Sequence, residues 1–539
     1  MPPAGGARFR CRRRARRCGA RPGGVLQGGL DHRRPDARPS DDGGELGGRP
    51  GQAAARRRER VRCGAARPHP HLHQRGCRGA GAARRVVVRL HRGGGRLSAG
   101  LVARARELSE RIDALNPRFQ AFSHRAPDLL RQAERLEALP AAGGKPLPLH
   151  GVGVTLKGCI PVEGWPWTEG AALFRARVAA ADAAIVTRLR AAGALLLGAT
   201  TLSELAMYAP DNPFEPMGLN PWDPERTAGG SSTGAGVAAA LGLGEVHLGT
   251  DSGGSVRNPA CHCGVVGFMP SRGRLPPEGL IERTPSLTSV GLIARDVATV
   301  ARAYAVLAEV PSLEQQPPLH LLVPEELIEA ACDDGTRTLF EAATDRLRAA
   351  GVRLDVGVID GWQDGEAGAG VVSLYEAAGA LQPFEEADLS PRLQARRRAG
   401  LALAPEALVT ARLARARFAL ALDDALRASG AAAVLTPTWP FAAPPIHAET
   451  VQVHGRDRPI DPHRNLFVRA ANAADAAALT LPAGRYPGLG VPFGVQLMAP
   501  RGRDAALLRL ALDIEPHLDH PGTPPLVTSA NPISRNTPP

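Results

Sequence analysis

The sequence predicts an α/β protein whose body is a single large domain, with a mixed β-sheet covered by helices on both faces. Two observations predict this fold class. Between residues 97 and 515, stretches with apolar residues at helical spacing alternate with short apolar segments typical of buried strands. The 539 residues are 44% hydrophobic, which is enough for a large core. No apolar run approaches the roughly 18 residues that a membrane span requires, so a membrane protein is not expected.

The predicted elements follow one another along the body in this alternating order. Residues 101–115 and 129–136 carry leucine and alanine at helical spacing and predict two amphipathic helices. The apolar segment 151–156 then predicts the first buried strand. The remaining predicted elements are a helix at 185–190, strands at 194–197, 246–250, 319–323, 352–356, 433–436 and 493–498, and a closing helix at 504–514.

Both ends of the chain differ from this body in composition. Residues 1–96 hold 25 of the 66 Lys and Arg residues, all of them Arg, but only six of the 53 acidic residues. This Arg-, Gly- and Ala-rich extension lacks a periodic apolar face, so we expect it to be disordered and without a function. A nucleic-acid-binding arm and a metal site at its Cys and His residues stay open as alternatives. The Pro-rich residues 516–539 predict a loose C-terminal tail.

The charge distribution and the cysteines limit the partners. The formal net charge of +13 belongs to the extension, because the rest of the chain has more acidic than basic residues. With only 4% aromatic residues, the body lacks stacking platforms for nucleic acid, which is therefore not an expected partner. The eight cysteines follow no secretory signal, which predicts reduced thiols and a cytoplasmic location. Cys261-His262-Cys263 has no second ligand pair nearby, so neither a metal nor another cofactor is expected.

Lysine is rare in this chain, which contains 64 Arg but only Lys145 and Lys157. Lys145 lies in a turn-like stretch with Gly and Pro, where we expect it to be solvated. Lys157 follows the apolar segment 151–156, at the carboxyl end of a predicted strand, where open α/β sheets bind ligands. Burial there lowers the pKa of an amine, so Lys157 is a candidate general base. The alternative is a structural lysine whose amine reaches water or pairs with an acid.

Two clusters of glycine and serine carry the strongest functional signal. They span residues 228–236 and 247–258, on either side of a predicted helix and strand. Successive glycines allow backbone N–H groups to converge on one point, as an anion-binding loop requires. Neither lysine lies in the Gly-Lys-Ser/Thr pattern of a nucleotide-binding P-loop. Ser255 lacks the Gly-x-Ser-x-Gly pattern of a nucleophile elbow, since Arg257 occupies the last position.

These clusters resemble the amidase signature family of hydrolases. The resemblance rests on Gly229-Gly-Ser-Ser232, on Gly249-Thr-Asp-Ser-Gly-Gly-Ser-Val-Arg257 and on Val154-Thr-Leu-Lys157 upstream. Weaker similarities at Leu435-Thr-Pro-Thr438 and Pro492-Phe-Gly-Val-Gln-Leu497 extend it over residues 97–515. Two positions depart from the family pattern: Gly158-Cys159 follows the lysine where relatives often carry an acid, and Thr233 replaces a frequent glycine.

The resemblance implies a Ser–cis-Ser–Lys triad in this chain. Ser255 is then the nucleophile, Ser231 the bridging serine after a cis peptide bond from Gly230, and Lys157 the base. A hydroxyl both donates and accepts, so Ser231 can pass the proton of Ser255 to a neutral amine. The resemblance also implies further site residues. The oxyanion hole is then formed by the backbone N–H groups of Ser252, Gly253, Gly254 and Ser255. The site is then supported by Arg257, Asp251 and Ser232. For Ser232, a role as a helix N-cap is an equally good explanation.

The expected activity is hydrolysis of a small-molecule amide through an acyl-enzyme. One alternative is the glutaminase component of an aminoacyl-tRNA amidotransferase, and another is a catalytically silent binding protein with a basic nucleic-acid-binding tail. The loop 205–223 favours the hydrolase, because it lacks the Gly-, Ser-, Thr- and Asn-rich sequence associated with that component. The resemblance also allows a homodimer. Candidates for an apolar substrate pocket, each equally compatible with the core, are Trp165, Trp167, Met207, Tyr208 and Trp222.

Overall fold

A computed structural model describes residues 100–139, 146–207, 209–310 and 316–528. The expectations for the extension 1–96, for Lys145 and for Tyr208 lie outside these residues, as does the end of the chain after residue 528. Among the described helices, none is both long and apolar enough to span a bilayer.

In the described part of the chain, eleven strands form one mixed sheet, and two more form a separate antiparallel hairpin. The strands are β1 (Phe122–Arg125), β2 (Gly153–Lys157), β3 (Leu195–Thr200), β4 (Val246–Asp251), β5 (Val266–Met269), β6 (Ser289–Ala294), β7 (His320–Val323), β8 (Arg353–Val356), β9 (Ala433–Pro437), β10 (Thr450–Val453), β11 (Arg456–Pro459), β12 (Ala477–Arg485) and β13 (Pro492–Ala499). The order in the large sheet is β1-β3-β2-β4-β6-β5-β12-β13-β9-β7-β8, and β10 pairs with β11.

Helices fill most of the connections between these strands. They are α1 (Leu101–Phe119), α2 (Leu129–Ala138), α3 (Ala184–Ala191), α4 (Thr233–Leu241), α5 (Arg257–Cys263), α6 (Val297–Leu307), α7 (Glu325–Ala331), α8 (Asp334–Ala349), α9 (Trp362–Leu381), α10 (Pro391–Leu401), α11 (Pro405–Ser429), α12 (Ile460–His463), α13 (Val468–Ala473), α14 (Asp504–Ile514) and α15 (Pro525–Thr528).

Both faces of the sheet are covered. Along β3, Leu195 and Leu197 pack into one apolar cluster together with α1, α2 and α4, whereas Leu196 packs into another with α3, α6 and α14. Successive side chains of a strand point to opposite faces, so the two clusters lie on opposite sides of the sheet. This arrangement confirms the predicted fold class of a mixed sheet between helical layers.

The seven predicted strands correspond to β2, β3, β4, β7, β8, β9 and β13, and the closing helix corresponds to α14. The sequence did not reveal β1, β5, β6, β10, β11 or β12. In β12 the reason is composition, since Ala477–Arg485 is rich in alanine, which rarely marks a strand. The C-terminal segment also differs from the expected loose tail, because Leu518 and Leu526 pack against the two core clusters.

The sheet brings the two functional segments of the sequence to one edge. Strands β2 and β4 are parallel neighbours, with Val154 opposite Val246 and Leu156 opposite Leu248. Their carboxyl ends, at Lys157 and Asp251, therefore lie side by side. The glycine- and serine-rich segment before α4 and the loop between β4 and α5 meet at this edge, since the backbone N–H of Ser232 donates to the carbonyl of Ser255 at 3.1 Å.

Candidate active site

Lys157 is buried, and its amine faces two hydroxyl groups rather than a carboxylate. Its Nζ lies 2.7 Å from Oγ of Ser231 and 2.9 Å from Oγ1 of Thr250. Among the described residues it forms no ion pair within 4 Å. Thr250 was not singled out in the sequence, although its position directly before Asp251 in the second cluster is a signal that was available.

Burial lowers the pKa of Lys157 below its ordinary value of 10.5, because a charged amine loses its hydration there. The negative charges of Cys159 in its thiolate form, Asp251 and Glu169 oppose this shift without reversing it. Glu169 is itself paired with Arg177 and Arg283. Lys157 is therefore placed to carry an uncharged amine at a higher proportion than a solvated lysine would.

Ser231 and Ser232 are held in the turn before α4. The peptide bond between Gly230 and Ser231 is cis. The hydroxyl of Ser232 donates to the carbonyl of Thr250 at 3.3 Å, so it ties this turn to the end of β4. Ser232 precedes α4, but its side chain accepts no hydrogen bond from the helix, which excludes the N-cap explanation. Both serines are fully buried.

Ser255 lies in the loop after β4 and lines a cavity of about 300 Å³. Its side chain is partly exposed, and its hydroxyl forms no hydrogen bond with the described residues. The backbone N–H groups of Ser252, Gly253 and Ser255 likewise have no acceptor among the described residues. The sequence predicted that the N–H of Gly254 also belongs to the oxyanion hole. In the structure it donates to Oδ1 of Asp251 at 2.7 Å instead.

Asp251 and Arg257 support this loop from beneath. The Asp251 carboxylate accepts hydrogen bonds from the N–H groups of Gly254 and Val256 and from the guanidinium of Arg257, at 2.7 to 3.1 Å. Burial alone raises the pKa of Asp251, but the charge and hydrogen bonds of Arg257 outweigh it and lower that pKa to about 2. Both side chains are fully buried, and their hydrogen bonds anchor the backbone of this loop.

Arg257 also joins the loop to distant parts of the chain. Its guanidinium donates to the carbonyl of Val468 at 2.6 Å, to the side chain of Gln496 at 2.7 Å and to that of Asn472 at 2.7 Å. Sequence reasoning missed Asn472, since it lies in an alanine-rich helix with no motif. Gln496 lies inside the quoted segment of β13, which was noted only for its likeness to a strand.

Of the described candidates for an apolar substrate pocket, the tryptophans do not line the cavity. Met207 contributes to its wall. Trp165 and Trp222 are buried in the main core cluster instead, and the indole N–H of Trp167 donates to the carbonyl of Cys159 at 3.1 Å. The cavity wall is therefore more polar than the sequence suggested, with Ser252, Thr284 and Thr288 among its lining residues.

No described group of His, Cys, Asp and Glu residues is arranged to hold a metal ion. Cys261 and Cys263 are buried free thiols at the end of α5, and burial raises the pKa of Cys261 to about 12. Thiols of this kind stay protonated and pack as small apolar groups.

Comparison with known proteins matches the chain to the family model described as Amidase, over residues 104–355 and 371–508. The chain belongs to the amidase family. Its members hydrolyse or transfer amide groups, which makes this protein an enzyme of that general kind. One solved structure, described as an amidase, superposes with a TM-score of 0.71 at 30% identity and covers 78% of this chain and 97% of its own.

Two curated members of the amidase family resemble the chain in sequence, and both are the A component of a glutamyl-tRNA(Gln) amidotransferase. The one from Thermus thermophilus is 32% identical over 448 residues, which cover 75% of this chain and 91% of that protein. The one from Symbiobacterium thermophilum is 33% identical over 312 residues, which cover 54% of this chain and 63% of that protein. The match to the second protein thus spans less than two thirds of its length.

Proposed function

We propose that this protein cleaves carboxylic amides with Ser255 as nucleophile, Ser231 as proton bridge and Lys157 as base. The observation that carries the proposal is the 2.7 Å distance between Nζ of Lys157 and Oγ of Ser231, at a buried amine with a lowered pKa. When that amine is neutral, the hydroxyl of Ser231 donates to it, and Thr250 accepts one of its hydrogens.

The proposed reaction has two steps. The oxygen of Ser255 attacks the amide carbonyl carbon while its proton passes to Ser231 and the proton of Ser231 passes to Lys157. The C–N bond breaks as a proton returns along the same path to the leaving nitrogen, which leaves an ester on Ser255. Water then attacks the ester carbonyl carbon while one of its protons passes through Ser231 to Lys157. The bond between the acyl carbon and the oxygen of Ser255 breaks as this proton returns to that oxygen, and the carboxylic acid departs.

The N–H groups of Ser252, Gly253 and Ser255 support the proposal, because they border the cavity without acceptors in the described part of the chain. Donors of this kind stabilise the oxyanion of a tetrahedral intermediate by roughly 3 kcal/mol each. Gly254, Asp251 and Arg257 then act as positioning residues, which hold the loop that presents these donors.

Reaction of the protein with a fluorophosphonate, followed by peptide mapping, tests the nucleophile. We expect the label on Ser255, together with loss of labelling and of amide turnover by at least about a thousandfold in Ser255→Ala. Ser429→Ala, at the end of α11 and remote from the cavity, is the matched control and is expected to retain both. A label on any other residue would contradict the proposal.

A second candidate function is transfer of the amide nitrogen of glutamine as part of a complex. The names of the curated relatives favour it, since both of those compared are amidotransferase components. The sequence of loop 205–223 favours the hydrolase instead. Ammonia release from simple amides by the isolated chain would support the hydrolase. Turnover of glutamine that requires the other amidotransferase components would support the second function.

Other expectations from the sequence remain proposals. The four described cysteines are free and buried, which supports a reducing cytoplasmic location. A homodimer also remains a proposal, and gel filtration with light scattering measures it directly.

A further inference from the structure

The cavity beside Ser255 is rich in arginine. Four guanidinium groups line it, and Glu282 is the acidic residue among its described lining. The four are Arg283, Arg396, Arg464 and Arg469. This composition is unusual for a pocket in the body of the protein, where acidic residues outnumber basic ones.

Three of these arginines have carboxylate partners outside the cavity lining. Arg283 is paired with Glu169, Nε of Arg464 lies 3.1 Å from Asp461, and Nη1 of Arg469 lies 3.2 Å from Glu366. Two of the carboxylates are shared, because Glu169 also pairs with Arg177 and Asp461 also pairs with Arg392. These carboxylates therefore compensate the positive charge around the cavity only in part.

Arg396 is the fourth arginine of the cavity lining. Among the described residues it forms no ion pair within 4 Å, and its guanidinium donates to the hydroxyl of Ser373 at 2.7 Å. Its Nε is buried without a hydrogen-bond partner in the described part of the chain. Burial, together with the charges of Arg469, Arg464 and Arg392, lowers the pKa of Arg396 to about 10. A guanidinium in this position is stabilised by an anion that enters the cavity.

The arginine cluster lies next to the reacting group. A Cβ atom added to Gly253, two residues before Ser255, would lie 3.7 Å from Cγ and from Nε of Arg469. Arg469 also covers Gly370 of α9, where an added Cβ would lie 2.5 Å from its Nη1. The side chain of Arg469 thus runs from the loop between β4 and α5 toward the wall that carries Ser373 and Arg396.

We infer that the substrate is an amide with a carboxylate group, which Arg396 and Arg469 bind while Ser255 attacks the amide carbonyl. This inference rests on the proposed function. A planar guanidinium matches a carboxylate in geometry and offers paired N–H donors. The cavity of about 300 Å³ accommodates a short amide of this kind. The carboxylate belongs either to the acyl part or to the leaving amine, and these two sources are tested separately.

Two pairs of amides with matched shape test this specificity. For the acyl part, glutaramic acid is compared with uncharged glutaramide, with ammonia release as the readout. For the amine part, N-acetylglycine is compared with N-propylacetamide, with release of the free amine as the readout. We expect kcat/KM of the charged member to exceed that of its neutral counterpart by about tenfold or more in one of the two pairs, as for a charge-assisted hydrogen bond.

Variants of α10 connect this preference to Arg396. We expect Arg396→Gln to lower the ratio of charged to neutral kcat/KM by about tenfold, and Arg396→Lys to retain part of the ratio. Arg398→Gln is the matched control, because Arg398 lies in the same helix, is exposed and pairs with Glu386 away from the cavity. It is expected to keep the wild-type ratio. The wild-type ratio itself does not depend on whether any variant folds.

The outcomes separate this inference from the proposed function. Equal cleavage of charged and neutral amides by the wild-type protein, with Ser255 labelled by fluorophosphonate, would overturn the inference alone. An unchanged ratio in a folded Arg396→Gln variant would overturn it as well. If no amide were cleaved and Ser255 stayed unlabelled, the proposed function would fail and the inference with it.

Discussion

The amine of Lys157 lies 2.7 Å from the hydroxyl of Ser231, although 74 residues separate the two in sequence. Both side chains are fully buried, and neither belongs to an ion pair within the described residues. Burial of this lysine destabilises the folded state, because its amine is hydrated and protonated in the unfolded chain. The same burial that destabilises the fold also lowers the pKa of the amine, as the proposed chemistry requires.

Replacement of Lys157 by Met tests this cost. The lowered pKa means that the unfolded chain binds a proton that the folded chain binds less well, from the folded pKa up to about 10.4. Wild-type stability therefore rises with pH across this window, by at most about 1.4 kcal/mol per pH unit. The free energy of unfolding of Lys157→Met lacks this pH dependence. We therefore expect the value for Lys157→Met minus the value for wild type to fall as pH rises from 7 to 9.5.

Urea unfolding at both pH values measures this difference, and loss of amide turnover is expected at the same time. Arg175→Met removes an exposed cation and serves as the control, without a pH-dependent difference from wild type. If the free energy of unfolding of Lys157→Met minus that of wild type stayed constant or grew with pH, the pKa of the amine would not be lowered by burial.

The pH profile of activity tests the role of the neutral amine. Since only uncharged Lys157 accepts a proton, kcat/KM rises with pH through its lowered pKa. The negative charge of Glu169 favours the ammonium form and raises that pKa, so Glu169→Gln shifts the acid limb to lower pH. Glu163→Gln, an exposed residue of the same loop region, leaves the limb in place. A shift of the Glu169→Gln limb to higher pH would refute this assignment.

The loop between β4 and α5 predicts different effects for two adjacent glycines. Gly254 has a φ of +106°, and an added Cβ would lie 2.7 Å from side-chain atoms of Asn258 and Val468. Gly254→Ala therefore displaces the N–H groups on either side and lowers kcat by about a hundredfold. At Gly253 the nearest atoms would lie 3.7 Å away, so Gly253→Ala causes a smaller loss. Equal kcat values in two folded variants would contradict this view of the loop.

His262 predicts part of the acid sensitivity of the fold. Burial, and then the charge of Arg464, lower the pKa of His262 to about 3. The unfolded chain binds a proton near pH 6.5 that the folded chain excludes, so stability is lost as pH falls from 6.5 toward 3. In His262→Phe, whose ring retains the edge-on contact with Trp439, this loss is smaller by up to about 1.4 kcal/mol per pH unit.

Urea unfolding between pH 4 and pH 7 measures this slope. His517→Phe changes an exposed histidine and is the control, with the wild-type slope expected. Indistinguishable slopes for His262→Phe and wild type would mean that His262 is not kept neutral by the fold.

The sequence was most informative where small residues surround functional groups. The motifs singled out Lys157, Ser231 and Ser255 as candidates, because a loop of converging N–H groups and a buried proton path leave few residue types available. β-branched residues and leucine mark several of the predicted strands, such as β2 and β7, but they do not suffice, because β10 has the same character and was not predicted. In β12, three of the nine residues are alanine, which is uncommon in strands and does not distinguish a strand from a helix.

The arginine cluster was not accessible to sequence reasoning. Arg396 lies in α10, and Arg464 and Arg469 lie at α12 and α13, among 64 arginines with no distinguishing spacing. That they line the same cavity as Ser255 follows from tertiary packing alone. The same is true of Asn472, which reaches Arg257 from a helix more than 200 residues later.

The bonds from Arg257 to Val468, Asn472 and Gln496 bear on how the enzyme is made. A ribosome that has just synthesised the glycine- and serine-rich motifs has not yet made the partners that immobilise the loop, which come 211 to 239 residues later. We therefore expect a nascent or prematurely terminated polypeptide to be chemically inert, although it already contains Lys157, Ser231 and Ser255, the residues of the proposed triad. Competence then requires synthesis at least as far as Gln496.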